Sequence, residues 1–291
     1  MLTPEQHERR KSGIGSSEAA AAIGLNPYQT SVELWMHKRG ELPPFEGNEA
    51  TKWGLLLEPA VRQEAAEQTG RVIRLPPQTL VHPTLPFLTC HPDGVSGEGK
   101  DLRLYEGKTS RFGDDWGEPG TDQIPERYLL QVQHALLVTA IPVADVAVLI
   151  GGQDFRLYEV PADAELQATM VEAEREFWEH VQKNIRPQLD YRSAGAISVL
   201  KKLYPGTNGQ TVQADDLLEK HWRPKLEKAK AAGKIAEAEE KEAKAALLDY
   251  MGEAAVLRFA DGRALRRARV DRKAYSVEAT SYIDARWIAA K

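Results

Sequence analysis

Apolar and polar residues follow two rhythms along this chain, and the switches between them mark out the elements. Over 48–69, Leu57, Val61, Ala65 and Gln68 recur on one stripe and Gly70 provides a stop, so the spacing predicts a helix with Glu58 on or beside its apolar face. From Arg71 the period shortens to two, and β-type runs at 71–75, 79–82, 87–95 and 102–109 are separated by Pro and Gly. A helix over 125–139 follows, then an apolar strand over 144–150, a Gly151-Gly152 turn, an alternating strand over 155–160 and an amphipathic helix over 164–184. This order describes an α/β or α+β core over residues 1–190, a mixed sheet with helices on its faces. Near the start, the small residues Gly13 to Ser17 and Glu18 precede an Ala-rich run, which reads as a capped helix start whose backbone N–H groups suit an anion.

Residues 191–291 have a different texture. Ala, Glu and Lys dominate 214–250, which predicts a long helix or a helical hairpin through Gly233. Then 256–259, Asp261-Gly262 and 264–270 predict a β-hairpin with a type I′ turn. This stretch is expected to be an accessory helical and β-hairpin extension.

Charge sharpens that division. The whole chain of 291 residues carries a formal charge of −5, but residues 1–190 carry −11 and residues 191–291 carry +6. Arg258, Arg263, Arg266, Arg267, Arg269, Arg272 and Lys273 lie close together, either as a surface for a polyanion such as DNA or as a solvated strand face. With 42% hydrophobic and 28% charged residues the chain can bury a core, which excludes a disordered or fibrous class. No run has the length of a membrane span and the first 30 residues lack a signal-peptide pattern, so a cytoplasmic protein is expected. The single cysteine, Cys90, excludes an intramolecular disulfide and a cysteine-rich zinc site.

The chemistry concentrates in the strand region. Asp93, in His91-Pro92-Asp93-Gly94, lies one short hairpin ahead of Glu106-Gly107-Lys108, so two strands can bring both carboxylates together at a sheet edge, a donor pair for a hard divalent cation. Leu104, Glu106 and Lys108 share parity, so an apolar strand face runs directly into an acid and a base. Glu-x-Lys recurs at 239–241 and 242–244 as helix-surface charge, so the tripeptide alone says little; the alternative at residue 106 is a salt-bridged strand end. Context separates the copies. Only the copy at 106 has an upstream Pro-Asp-Gly and a following helix with Tyr128, Gln131 and Gln133. The histidines at 82, 91, 134 and 180 lack a paired metal spacing, and Trp116, in a Gly-rich loop, is the expected base-contacting aromatic.

In their order along the chain, Gly54-Leu55-Leu56-Leu57-Glu58-Pro59, Pro92-Asp93-Gly94, Glu106-Gly107-Lys108 and Tyr128-Leu129-Leu130-Gln131-Val132-Gln133-His134 resemble the YqaJ-type viral recombinases. These are grouped with the bacteriophage lambda exonuclease in the PD-(D/E)XK nuclease superfamily. The resemblance spans roughly residues 9–182 and implies a restriction-endonuclease-like core with a central mixed sheet flanked by helices. It implies Asp93, Glu106 and the Gly107 carbonyl as metal ligands, with Glu58 completing the site directly or through water. Lys108 then orients or deprotonates the attacking water, and Gln131 positions water or metal-bound groups. The implied metal is Mg²⁺, with Mn²⁺ as a substitute, offsetting the charge that builds on the phosphoryl group. Arg10 and Ser17 resemble the family's holders of a DNA 5′-phosphate, with Arg9 or Ser16 as alternatives and a plain N-cap as the other reading.

The function implied is a 5′-to-3′ exonuclease on linear double-stranded DNA, encoded by a phage or prophage in a bacterial host, that leaves 3′ overhangs for recombination. A ring-shaped trimer or tetramer and a single-strand-annealing partner follow by the same resemblance. Two rivals remain: an endonuclease of the same fold, for restriction, repair or junction cutting, and a catalytically silent DNA-binding scaffold.

Overall fold

The computed structural model describes residues 12–43, 47–76 and 78–269, and the chain divides into two compact units, residues 1–203 and 204–291. In the first unit, β1 (Ile14–Gly15) and a 3-10 turn (Ser16–Glu18) lead into α1 (Ala19–Ala22), α2 (Ser31–Lys38) and α3 (Glu49–Thr69). Strands β2 (Leu80–Val81), β3 (Leu88–Cys90), β4 (Gly94–Ser96) and β5 (Arg103–Ser110) follow, then α4 (Glu126–Thr139), β6 (Val143–Ile150), β7 (Asp154–Pro161), α5 (Ala164–Lys183) and α6 (Ala196–Leu203). The helix boundaries follow local chemistry. Asn48 caps α3 by accepting the Thr51 N–H at 2.9 Å, Gly70 ends it at φ 65°, and Asp163 caps α5 through the Glu165 and Leu166 N–H groups.

The strands form two sheets, β1-β3-β2 and β4-β5-β6-β7. The run 87–95 does not continue as one strand: β3 belongs to the first sheet and β4 to the second. His91-Pro92-Asp93 lies at the break, where Pro92 has no N–H for a ladder. Residues 71–75 form no strand, only an isolated bridge between Arg74 and Val95. In the second sheet β5 and β6 are parallel, joined by α4 as the crossover that parallel strands require, and β4 and β7 flank them antiparallel.

Alternation along β5 gives each face of this sheet its own helix. Leu104 packs with Val132, Ala135 and Leu136 of α4, while Tyr105 packs with Val61 and Ala65 of α3. Strand β6 contributes Val146 and Val148 to the α4 side and Ala147 to the α3 side, so it is buried on both. The first unit extends to residue 203 rather than 190, because α6 buries Ala196 and Val199 among Ile14, Val32, Trp35, Phe177 and Leu189. Lys202 adds an ion pair to Glu33 of α2 at 2.5 Å.

In the second unit, a π-helical turn (Leu218–Trp222) enters one uninterrupted helix, α7 (Arg223–Met251), with Gly233 inside it. The hairpin β8 (Val256–Arg258) and β9 (Ala264–Arg266) is shorter than the sequence pattern predicts, and its turn is not type I′. The Gly262 N–H bonds the Phe259 carbonyl, Gly262 alone in the turn has positive φ, and Arg263 returns its carbonyl to the Phe259 N–H. This is a tight turn closed by a left-handed glycine, the three-residue solution for hairpins. Arg263 pairs with Asp261 and Arg267 donates to the Gly252 carbonyl, whereas Arg272 and Lys273 lie outside the described residues.

Candidate active site

The break between β3 and β4 and the alternation of β5 together build the site. Glu106 lies on the α4 side of β5 at 5% exposure, and its Oε1 accepts from Lys108 Nζ and from Gln131 Nε2, the latter at 2.5 Å. Asp93 sits just before β4, opposite β5, and its Oδ2 accepts the Gly107 N–H at 2.9 Å. In a strand the N–H and C=O of one residue point to the same side, so the Gly107 carbonyl also faces Asp93, beyond the end of β4 at Gly94. A side chain at 107 would not fit, since its Cβ would lie 2.9 Å from Tyr105 Oη. Gly94 is constrained likewise: a Cβ there would meet Ile73 Cγ2 at 2.5 Å.

The electrostatics are unbalanced. Burial, then the charge of Asp93, pushes the Glu106 carboxyl up to about 7; Lys108 opposes this and Glu58 adds to it. For Lys108, burial favours the neutral amine, but Glu106 and Asp93 more than reverse it and raise the ammonium above its ordinary value. Burial, then the Glu106 charge, pushes the neighbouring Cys90 thiol up to about 12, so this cysteine is inert at neutral pH. Tyr105 is raised by burial and then by Asp93, against Arg62, and its hydroxyl is buried with no hydrogen-bond partner among the described residues.

The donor set fits a hard divalent cation. Among the described residues, Asp93 Oδ1 and Glu106 Oε2 receive no hydrogen bond, so each carboxylate keeps one oxygen for a ligand, and the Gly107 carbonyl faces the same side. No group of three or more His, Cys, Asp or Glu able to hold a metal occurs among the described residues. A cation here would complete its shell with backbone oxygen and water, the habit of Mg²⁺. Glu58, on α3, is half-buried and bonded to Arg62 Nη1 at 3.1 Å; it acts on Glu106 through its charge.

The anion-binding expectation meets a mixed outcome. Strand β1 runs parallel to β3 with Gly15 opposite Thr89, so Ser16 and Ser17 leave the sheet at the same end as Asp93. Ser16 is buried and Ser17 exposed. The Gly15 N–H is already taken by Glu18 Oε2 at 2.8 Å, and Lys38 neutralises that carboxylate at 2.6 Å, so the turn supplies fewer unfilled donors than the sequence pattern indicates. Arg9 and Arg10 lie outside the described residues.

Trp116 is not available to a base. It is 5% exposed and packs on Tyr128 and Tyr158 at centroid distances of 5.7 and 5.3 Å. Sequence reasoning missed the Arg62 partner of Glu58, the buried Tyr105 hydroxyl and the buried pair His134–Glu174, Nδ1 to Oε1 at 2.7 Å. The Arg62 pairing alone had a signal, its i,i+4 spacing from Glu58.

Residues 5–142 match the family of the YqaJ-like viral recombinase domain. YqaJ of Bacillus subtilis strain 168 is 39% identical over 206 residues, 69% of this chain, and the chain spans 62% of that relative's length. In structure, the chain is similar to an alkaline exonuclease (LHK-Exo) from Laribacter hongkongensis at 20% identity and TM-score 0.50, covering 63% of this chain and 94% of the other. The same enzyme in complex with dAMP gives 19% identity and TM-score 0.50, over 69% and 97% of the two chains. Residues 5–142 thus match the YqaJ-like viral recombinase domain, and the first unit shares its mixed α/β fold with these alkaline exonuclease structures.

Proposed function

We propose that this protein is a Mg²⁺-dependent nuclease that degrades linear double-stranded DNA from the 5′ end and leaves 3′ overhangs. The observation that carries the reading is the convergence of Lys108 and Gln131 on one oxygen of a buried Glu106, beside Asp93 and the Gly107 carbonyl. Asp93, Glu106 and Gly107 would hold the cation, which when bound supplies positive charge against the phosphoryl transition state. Lys108 keeps a fixed ammonium in a largely dry site, where it counters negative charge developing on the attacking water and the phosphoryl oxygens. Gln131 fixes the Glu106 rotamer through its amide N–H. Its remaining N–H and carbonyl can orient water.

The 5′ polarity rests on Arg10 with Ser17 or Ser16, supported by the exit of Ser16 and Ser17 at the Asp93 end of the sheet. A ring-shaped trimer or tetramer, a single-strand-annealing partner and a place in the bacterial cytoplasm belong to the same proposal. No helix among the described residues is long and apolar enough to cross a membrane.

The test is digestion of a linear duplex labelled at either end, with and without a 5′-phosphate, in Mg²⁺, Mn²⁺ and EDTA, beside a closed circle. Mononucleotides from the 5′-phosphorylated strand alone, with the circle intact, are expected. Cutting of the circle would move the protein to the endonucleases. DNA binding with no metal-dependent cleavage would leave a scaffold.

A further inference from the structure

A second set of side chains leads outward from this site. Lys108 Nζ lies 5.0 Å from the Tyr128 ring centroid, Arg127 lies 4.3 Å from the same ring, and Arg127 lies 5.4 Å from the ring of Tyr28. Tyr128 is backed by the buried Trp116. Cations and rings thus alternate from the partly buried Lys108 to Tyr28, which is 77% exposed. Such contacts hold a guanidinium in place without neutralising it.

Three features argue that Arg127 is placed for a ligand. Among the described residues no carboxylate or carbonyl accepts from its guanidinium, although its five donors are fixed between two rings. It sits in the first turn of α4, where the helix dipole disfavours a cation, so helix stability does not account for it. It also precedes Gln131 by four residues, on the same helix face and about 6 Å along the axis. Tyr28 is held in position too: its N–H and that of Gln29 bond Asn26 Oδ1 at 2.8 and 3.2 Å. The loop carrying it follows α1, which packs against α4.

We propose that Arg127 binds a backbone phosphate of the DNA strand one step from the scissile phosphate, and that Tyr28 is the stacking face for the adjoining base. Planar, forked donors suit a phosphate, and an exposed phenol ring accepts any base. The inference rests on the nuclease reading and names its strand contact.

Binding is measured in Mg²⁺ by fluorescence anisotropy with a short 5′-phosphorylated duplex, in a Lys108→Ala background so that the DNA stays intact, across a salt series. Arg127→Ala is expected to weaken binding about tenfold and reduce the log–log salt slope by about 1. Arg127→Lys should keep the slope and lose part of the affinity. Tyr28→Ala should weaken binding about fivefold or more at unchanged slope, and Tyr28→Phe should restore it. In the protein with Lys108 intact, Arg127→Ala should raise KM with kcat within about threefold. Unchanged affinity and slope in Arg127→Ala, at an unchanged thermal midpoint, would overturn the inference while leaving metal-dependent cleavage standing. Absence of both DNA binding and cleavage in the parent protein would overturn the nuclease reading and this contact with it.

Discussion

Glu106 and Glu174 are both buried, and each meets a partner from helix α4, yet their surroundings set them to opposite tasks. Glu174 and His134 are fully enclosed. His134 Nε2 faces the Thr89 carbonyl at 3.0 Å, and a carbonyl only accepts, so Nε2 carries a proton. Nδ1 faces Glu174 Oε1 at 2.7 Å, so both ring nitrogens are bonded inside the core, while Glu174 Oε2 is buried with no hydrogen-bond partner among the described residues. Glu106, in contrast, shares its surroundings with Asp93 and Glu58, and Lys108 is the cation that offsets it. An enclosed pair fastens α4, α5 and β3 together; an excess of negative charge on converging carboxylates is, on the nuclease reading proposed above, what a cation would offset.

The largest expected effect tests the charged side. Lys108→Ala should lower DNA cleavage by about a thousandfold or more, measured as single-turnover release of labelled nucleotide, with DNA binding retained. A loss of under tenfold would sink the assignment of Lys108 to the chemistry. The closed side should respond in stability instead. Glu174→Ala leaves a buried imidazole unpaired and should cost about 3 kcal/mol in urea unfolding, with cleavage at saturating DNA within about threefold. Replacing both residues by apolar ones, His134→Leu with Glu174→Leu, should recover much of that loss. A double variant as unstable as Glu174→Ala would show that the pair does more than fill space.

The contrast also explains what the sequence makes legible. Periodicity placed α3, β5, α4, β6, β7 and α5 because each has one face or both buried in the core of the first unit, and burial is what patterning records. It did not show the break at Pro92, since 87–95 reads as one β run while its halves pair in different sheets. Asp93, Glu106, Lys108 and Gln131 stood out through chemistry at fixed spacing, and the structure brings them together. His134–Glu174 stayed hidden because its partners are 40 residues apart and nothing in the motif that ends at His134 points to Glu174. Trp116 reversed its expected role, and the exposed Tyr28 went unremarked, for a related reason: exposure is decided by tertiary packing.

A smaller effect comes from proton linkage at Glu106. Its folded-state carboxyl is raised from 4.5 to about 7, so the folded state without metal binds more protons than the unfolded chain between those values. Stability of the metal-free protein should therefore fall as pH rises through that window, by at most about 3 kcal/mol from this group. A bound cation removes the penalty. Mg²⁺ affinity should drop about tenfold per unit as pH falls below 7, and Mg²⁺ should raise the thermal midpoint more at pH 8 than at pH 6. Glu106→Gln should flatten both trends, as followed by calorimetric titration and thermal scans; an unchanged pH profile would assign the proton elsewhere.

The smallest expected effect concerns Tyr105, on the α3 face of the same strand. Its hydroxyl is buried, has no hydrogen-bond partner among the described residues and feels the charges of Asp93, Glu106 and Glu58. An unpaired buried hydroxyl costs roughly 1 kcal/mol or more, so Tyr105→Phe should be neutral or stabilising by about 1 kcal/mol. The ring keeps its packing on Val61 and Ala65, and β5 should not shift. If the hydroxyl instead meets a water or a group that enters with the metal, the variant will lose stability only when Mg²⁺ is present. Thermal midpoints of both proteins with and without Mg²⁺ separate these outcomes, and a loss confined to the Mg²⁺ condition would extend the proposed cation site from Asp93 and Glu106 to the other face of the sheet.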